Sequence, residues 1–571
     1  MRITHRVGLA HAAAHLIDVE TRLHSAEPLP SPLEPFMAVW TPGSYMVREY
    51  ARHIESLRCE GGRIVAISKN AWRIEHDGAR EITLRYRLYC NELTVRSNHV
   101  DASHAYLNGA ATFLGVRGHL GAPVEVTLDA PAGWRAATAL ARVAGSNNVR
   151  TARNYDELVD SPIELGEHDE FAFVAAGKPH KYAIWPARAL SPDNIERLVS
   201  STRTLIEVEA KLMGGLPHDG FTFILHLSTR ARGGLEHRDS TSLLVPPSAP
   251  HTREAWLDCL SLIAHEYFHL WNVKRLRPEG LTPDRYEAES YTRMLWWFEG
   301  GTSYFDWRFL RLAGLCSEAE YLAHMGTEIA YVEQTPGRLV HSLEDASFDA
   351  WIKLYRPDEN SVNSSISYYF KGELVCAMLD LEIRARSGGR SSLDAVMVAL
   401  WEQFGRDERP IPEGAMQGLF ESITGCALGD LFDAWIRGTS ELDCDATFAK
   451  AGLSIERTKR GTVSVGARLV LSGGRVTVAS VARGGGAHAA GIDPHDEVLS
   501  VAGRRVDGTA VEALLADFLP GQRVDVIISR DGRTRSLELT LGEARVDKVT
   551  LSPSANATRE QTALREAWLA L

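Results

Sequence analysis

His265-Glu266-Tyr267-Phe268-His269 sets two imidazoles four residues apart, with a carboxylate beside the first. On a helix, positions i and i+4 share a face. The two rings can then hold one metal ion, and the adjacent glutamate can take a proton from a water on that ion. The chemistry is metal-assisted hydrolysis. A catalytic zinc takes three protein ligands and keeps one position open. The carboxylates downstream are Glu279, Asp284, Glu287, Glu289, Glu299 and Asp306. Most stand in polar or loop-like sequence and read as solvated. Glu299 differs, because it follows Leu295-Trp296-Trp297-Phe298 and precedes Gly300-Gly301. An ionised carboxylate in such a run is costly without a cation. Zinc would supply one; Arg293 or Arg308 is the alternative. His265, His269 and Glu299 are therefore the candidate ligands and Glu266 the candidate general base.

These side chains need elements to position them. TREAWLDCLSLIAHEYFHLW keeps apolar residues at intervals of three and four, which predicts a helix carrying the motif. Helical spacing continues to about Gly438, through AESYTRMLWWFEGGTSYFDWRFLRLA and ELVCAMLDLEIRARSG. Upstream, NIERLVSSTRTLIEVEAKLMGG reads as a helix ending at a glycine pair, and FTFILHLS as a buried strand. The first 165 or so residues show short apolar or alternating runs between Gly, Pro, Asn and Asp, the mark of a β-rich domain. After about Ala451, short strands return with glycine-rich turns and one small helix, GTAVEALLADFL. The stretch from about Val546 reads as a polar connector, followed by the helical pattern TREQTALREAWLAL.

The composition sets limits on partners. The chain has 571 residues, 62 basic and 74 acidic, for a net charge of −12. That acidity argues against a nucleic-acid binder. No apolar run is long enough for a membrane-spanning helix, and the start lacks the continuous apolar centre of a secretory signal. The seven cysteines are scattered without C-x-x-C, which fits free thiols in a reducing, cytoplasmic setting. None falls among the candidate ligands.

HEYFHLWNVKRLRP, followed by EGGTSY from Glu299, resembles the glycyl aminopeptidase family of zinc peptidases, gluzincins related to the aminopeptidase N group. WTPGSYMVREYARHI near the N-terminus is similar to that family's amino-domain signature, and the resemblance spans essentially the whole chain. The chain departs from the related enzymes in a longer insertion before Glu299, and in Phe298 where they often have asparagine. The resemblance implies one zinc per chain on His265, His269 and Glu299, with Glu266 as general base. Gly233-Gly234-Leu235-Glu236-His237 resembles the glycine-rich M-E-N motif of aminopeptidases. There the glycines admit substrate backbone and the glutamate binds the free α-amino group. Tyr369-Phe370-Lys371-Gly372 resembles their Y-x-K-G motif, which implies Tyr369 as oxyanion donor; Tyr368 is the neighbouring alternative.

Residues 455–545 resemble a PDZ domain, most specifically in AHAAGIDPHDEVLSVAGRRVDG. The candidate carboxylate turn is Val465, Gly466 and Ala467, which departs from the usual G-L-G-F loop. A module that only packs on the peptidase is the alternative. The expected fold is multidomain α+β. It has a β-rich domain at 1–170 and a thermolysin-like, mainly helical zinc-peptidase domain with a small β-lobe at 171–454. A PDZ domain follows at 455–545 and a tail helix at 546–571. The expected activity is removal of an N-terminal residue, glycine or alanine by family resemblance, from peptides with a free N-terminus. Alternatives are a zinc endopeptidase, or a catalytically weak scaffold that binds peptides through its PDZ domain. The basic cluster in WNVKRLRP reads first as a cap on the helix C-terminus, and otherwise as a contact for a substrate carboxylate. Trp568-Leu569-Ala570-Leu571 reads as a helix end packed on the body, or else as a ligand for a PDZ groove.

Overall fold

The computed structural model describes residues 1–283, 285–459, 461–506 and 511–570. Asp284, Leu571 and the opening of the GTAVEALL segment lie outside the described residues. The chain forms two compact units. One holds Met1–Thr292, Phe305–Leu315 and Val398–Glu413; the other holds Arg293–Tyr304, Cys316–Met397 and Gly414–Leu571.

The first unit opens with a seven-stranded sheet. Its strand order is Ala141–Arg142, Val149–Ala152, Val124–Asp129, Arg2–Gly8, Leu16–His24, Glu81–Tyr89 and Ile54–Glu60. Only the Arg2–Gly8 and Val124–Asp129 pair runs parallel. Leu16–His24 alternates buried and less buried residues, as a strand with one face on a core must. The core beneath holds Val7, Ile17, Val19, Leu23, Leu84 and Leu88.

A second, five-stranded sheet carries the peptidase motifs. It runs Asp169–Ala175, Lys178–Trp185, Phe221–Leu227, Ser240–Val245 and Gly233–Glu236. Every residue of Phe221–Leu227 is buried, because parallel neighbours flank it on both sides. Gly233–Glu236 is the edge strand, antiparallel to Ser240–Val245. The helix between the sheet's second and third strands in chain order, Pro192–Met213, starts with Ser191 as N-cap and ends at Gly214 in the left-handed region, at the glycine pair its sequence predicts. The motif helix, Arg253–Phe268, is capped by Thr252, whose side chain accepts from Ala255 N. From Trp256 to Phe268 all but Asp258 are buried, so this helix has no solvated face.

In the second unit, Trp296–Gly301 forms a π-helical turn, and the long helices are Glu318–Gln334 and Phe370–Ser387. The PDZ strands follow the order Ala467–Ser472, Arg475–Val481, Glu497–Val501, Arg523–Arg530 and Arg533–Thr540. They close over Val478, Val501, Val526 and Ile528. The stretch expected as a connector is instead a strand, Val546–Pro553. It pairs antiparallel with Leu453–Lys459, ahead of the PDZ strands. Val549 and Leu551 are buried in it, which a solvated connector would not do. The tail helix, Arg559–Trp568, carries a capping box at Thr558 and Gln561. Trp568 is fully buried, donates to Tyr304 Oη at 3.1 Å and meets Tyr321 edge-on. The packed-helix reading of the chain end is therefore the one seen. No helix of the described residues is long and apolar enough to cross a membrane. All seven cysteines are free thiols, and six are buried.

Candidate metal centre and substrate-anchoring residues

His265 and His269 stand on the last turn of the Arg253–Phe268 helix and its C-cap, with ring centroids 4.6 Å apart. His265 Nδ1 lies 3.0 Å from Asp306 Oδ2, and His269 Nδ1 lies 2.8 Å from the Asn272 carbonyl. A carbonyl or carboxylate oxygen only accepts, so each Nδ1 carries the proton and donates it. Each Nε2 is then the lone-pair nitrogen, the form a metal ligand takes. All three side chains of the motif, His265, Glu266 and His269, are buried.

Glu236 ends the edge strand and is 3% exposed. Its carboxylate, that of Glu266 and the His269 ring each offer a ligand atom, all within 4.8 Å of one another. Glu236 Oε1 has no hydrogen-bond partner among the described residues, an unusual state for a buried carboxylate oxygen. Two glycines make the approach possible. A Cβ at Gly234 would overlap the Glu266 carboxylate, and one at Gly43 would overlap that of Glu236. Gly43, at φ +86°, sits in the N-terminal WTPGSY segment, so that segment's backbone lies against Glu236.

Sequence reasoning took Asp306 for one of several solvated carboxylates. It is buried and holds His265. The available signal was its place seven residues after Glu299, about two helical turns along. Behind it, burial and then the charge of Asp306 push the Glu209 carboxyl well above the usual range. Of the basic cluster, Arg275 donates to the Leu270 carbonyl at 2.9 Å, one residue past the His269 C-cap of the motif helix. Lys274 instead pairs with Asp160 at 2.6 Å.

In the second unit, Glu299 lies in the π-helical turn and is 2% exposed. Arg293 pairs with Asp345 at 2.7 Å. Tyr369 is the residue before the Phe370–Ser387 helix. Its hydroxyl is 3.1 Å from that of Tyr355, and its ring stacks on Tyr368. Tyr368 is wholly buried, and burial, then Tyr355 and Glu299, raise its phenol well above the usual range. Gly372 fixes this arrangement. A Cβ there would stand 2.9 Å from the Trp296 carbonyl and 3.0 Å from Gly300 Cα, so the start of the helix rests directly on the turn bearing Glu299. Lys371 is 1% exposed, and burial pushes its amine down to about 8.

In the PDZ region, Val465 O accepts from Ala487 N at 2.8 Å and Gly466 O from Ala482 N at 2.9 Å. Ala467 opens the edge strand of the sheet. The three residues lead into a strand that, among the described residues, is paired on one side only.

The Peptidase M61 N-terminal domain matches residues 4–167, the M61 glycyl aminopeptidase domain residues 258–375, and a PDZ domain residues 463–541. Among solved structures, an aminopeptidase N family protein from Idiomarina loihiensis superposes with a TM-score of 0.93 at 28% identity, over 99% of this chain and 100% of that one. An M1 zinc metallopeptidase from Deinococcus radiodurans gives a TM-score of 0.48 at 14% identity, over 77% of this chain and 94% of that one. Yeast LTA4 hydrolase gives 0.47 at 11%, over 79% and 70%. No curated protein matches by sequence.

Proposed function

We propose that the chain, which matches the M61 N-terminal and glycyl aminopeptidase domains and a PDZ domain, is a metallopeptidase of that family and removes the N-terminal residue, glycine or alanine, from peptides with a free N-terminus. One zinc ion per chain would be held by His265, His269 and Glu299. The observation that carries this reading is the protonation pattern of the two histidines, both fixed at Nδ1 by acceptor-only oxygens. Two neutral imidazoles and a carboxylate suit zinc and leave its fourth position open. Glu299 joins them on its burial in an apolar turn.

Zinc, when bound, supplies a Lewis acid that acidifies a water and polarises the scissile carbonyl. Glu266 takes the proton of the attacking water and passes it to the leaving amine. Tyr369 donates its hydroxyl hydrogen to the oxyanion developing on the carbonyl. Glu236 pairs with the substrate ammonium and so fixes cleavage after one residue. Gly233 and Gly234 leave the edge strand bare, and substrate backbone can run beside it. The PDZ domain would take a peptide C-terminus along Ala467–Ser472, with its carboxylate at Val465–Ala467. Domain borders near residues 170, 454 and 545 belong to the same reading. The seven free thiols favour a cytoplasmic setting.

The test combines metal analysis with cleavage of Gly- and Ala-anilides, free and N-acetylated. One zinc per chain, with cleavage of the free amines alone, is the expected result. Equal cleavage of the acetylated forms would make the protein an endopeptidase and remove the role given to Glu236. Glu266→Gln should keep the zinc and lose hydrolysis; full activity in that variant would overturn the mechanism.

A further inference from the structure

Beside Glu236 lies a cavity of about 60 Å³, room for a few waters or one small polar group. Aromatic rings of Trp40, Tyr45 and Tyr286 line part of it. Its charged lining is less ordinary. Arg238, Lys274, Arg277 and Arg285 face Asp156, Asp160 and Glu236. A further carboxylate, Glu408, ties Arg238 at 2.9 Å and Arg277 at 3.3 Å.

The charges balance only while Glu236 is unengaged, at four cations against four carboxylates. A substrate ammonium on Glu236 cancels one carboxylate and leaves one positive charge in surplus. Asp160 cannot absorb it, since it already accepts from Lys274 Nζ and from the Arg238 backbone N–H. Asp156 accepts from the Tyr286 hydroxyl, and burial followed by the charge of Asp160 raises its carboxyl.

Arg277 is the cation best placed to take a new anion. Its side chain is 17% exposed and gives one hydrogen bond, to Glu408. A guanidinium has five N–H donors, and those remaining have no partner among the described residues. Arg285 is exposed and has no side-chain partner among the described residues either.

We propose that this cavity is a carboxylate subsite, in which Arg277, with Arg285, binds a second charged group of the same substrate whose ammonium sits on Glu236. This rests on the aminopeptidase reading of Glu236 and names the substrate class as short zwitterionic peptides. Two sources share the chemistry: the C-terminal carboxylate of a di- or tripeptide, and an acidic side chain on the first residue.

The experiment compares each carboxylate with its uncharged twin on the full-length zinc enzyme. One arm uses Gly-Gly and Gly-Gly-Gly against their C-terminal amides. The other uses Asp- and Glu-anilides against Asn- and Gln-anilides. In at least one arm, KM for the carboxylate form should be lower by about tenfold, the scale of one charge-assisted hydrogen bond. Arg277→Gln should collapse that ratio toward one, while Arg277→Lys keeps part of it. Raising the salt from 50 mM to 500 mM should shrink the ratio in the wild-type chain, which needs no variant to fold. Ratios near one in both arms, in an enzyme that cleaves the uncharged substrates, would overturn the subsite and leave the aminopeptidase reading standing. Failure to cleave any free-amine substrate would overturn both.

Discussion

Asp306 Oδ2 accepts a hydrogen bond from His265 Nδ1 at 3.0 Å, across 41 residues of sequence. This bond fixes the tautomer of the first histidine of the motif. It also turns the ring so that Nε2 faces away from Asp306. Asp306→Ala should therefore weaken zinc binding by roughly 10- to 100-fold. Competition with a zinc chelator, read by metal content after dialysis, checks this. Unchanged metal retention would show that the ring is held by its packing instead.

Gly234 is a position where a single methyl group should silence the enzyme. Its missing Cβ is the space in which the Glu266 carboxylate lies. Gly234→Ala should displace Glu266 and lower kcat about 100-fold, the scale of a 1 Å misplacement. Circular dichroism should change little, because the group that a Cβ would displace is the Glu266 side chain and not backbone. Near-normal kcat would mean that Glu266 has another place to sit.

Gly372 makes a similar contact with a structural outcome. An alanine there would press on the Trp296 carbonyl and on Gly300. Overpacking of this kind costs about 1–3 kcal/mol. Urea unfolding of Gly372→Ala should show that loss, together with a fall in activity, because Tyr369 and Glu299 are both set by this contact.

Acid should loosen the back of the motif helix. His180 Nε2 and His218 Nε2 lie 2.8 and 2.9 Å from the Tyr267 hydroxyl. Burial lowers His180 to about 4 and His218 to about 3. In the unfolded chain these rings take protons near pH 6.5. Between those values the unfolded state binds more protons, so stability must fall as the pH falls. Urea midpoints should drop steadily from pH 7 to pH 5, and less so in His218→Gln. A flat profile over that range would contradict the assignment of these two rings as neutral.

Local spacing carried most of the candidate site. His265, Glu266 and His269 need only one helix, and Gly233 to Glu236 only one strand, so their relation is legible within a few residues. Asp306 read as solvated, because its partner stands 41 residues away and is brought close only by the fold. Glu299 stood out where Asp306 did not, because its apolar neighbours run without a break. Gly43 was quoted within a motif, yet its contact with Glu236 spans 193 positions and has no sequence signal. The same limit explains Val546–Pro553. A lone alternating segment such as VDKVTLSP looks solvated until its partner, Leu453–Lys459, is brought beside it from the far side of the PDZ strands. Arg275 keeps a local bond to Leu270 just past the motif helix, whereas Lys274 and Arg277 answer to Asp160 and Glu408 from distant segments.

That strand pair also changes how the chain can be cut. Lys459 and Val546 are partners in the ladder, so the PDZ domain leaves and re-enters its unit at neighbouring points, as a guest spliced into a hairpin. Replacing 460–545 with a short turn would rejoin the hairpin and keep the Trp568 helix in place. A stop codon after the PDZ sequence would do the opposite, stranding Leu453–Lys459 as an open edge and unsealing the pocket that Trp568 fills. The module is thus separable by excision and inseparable by truncation.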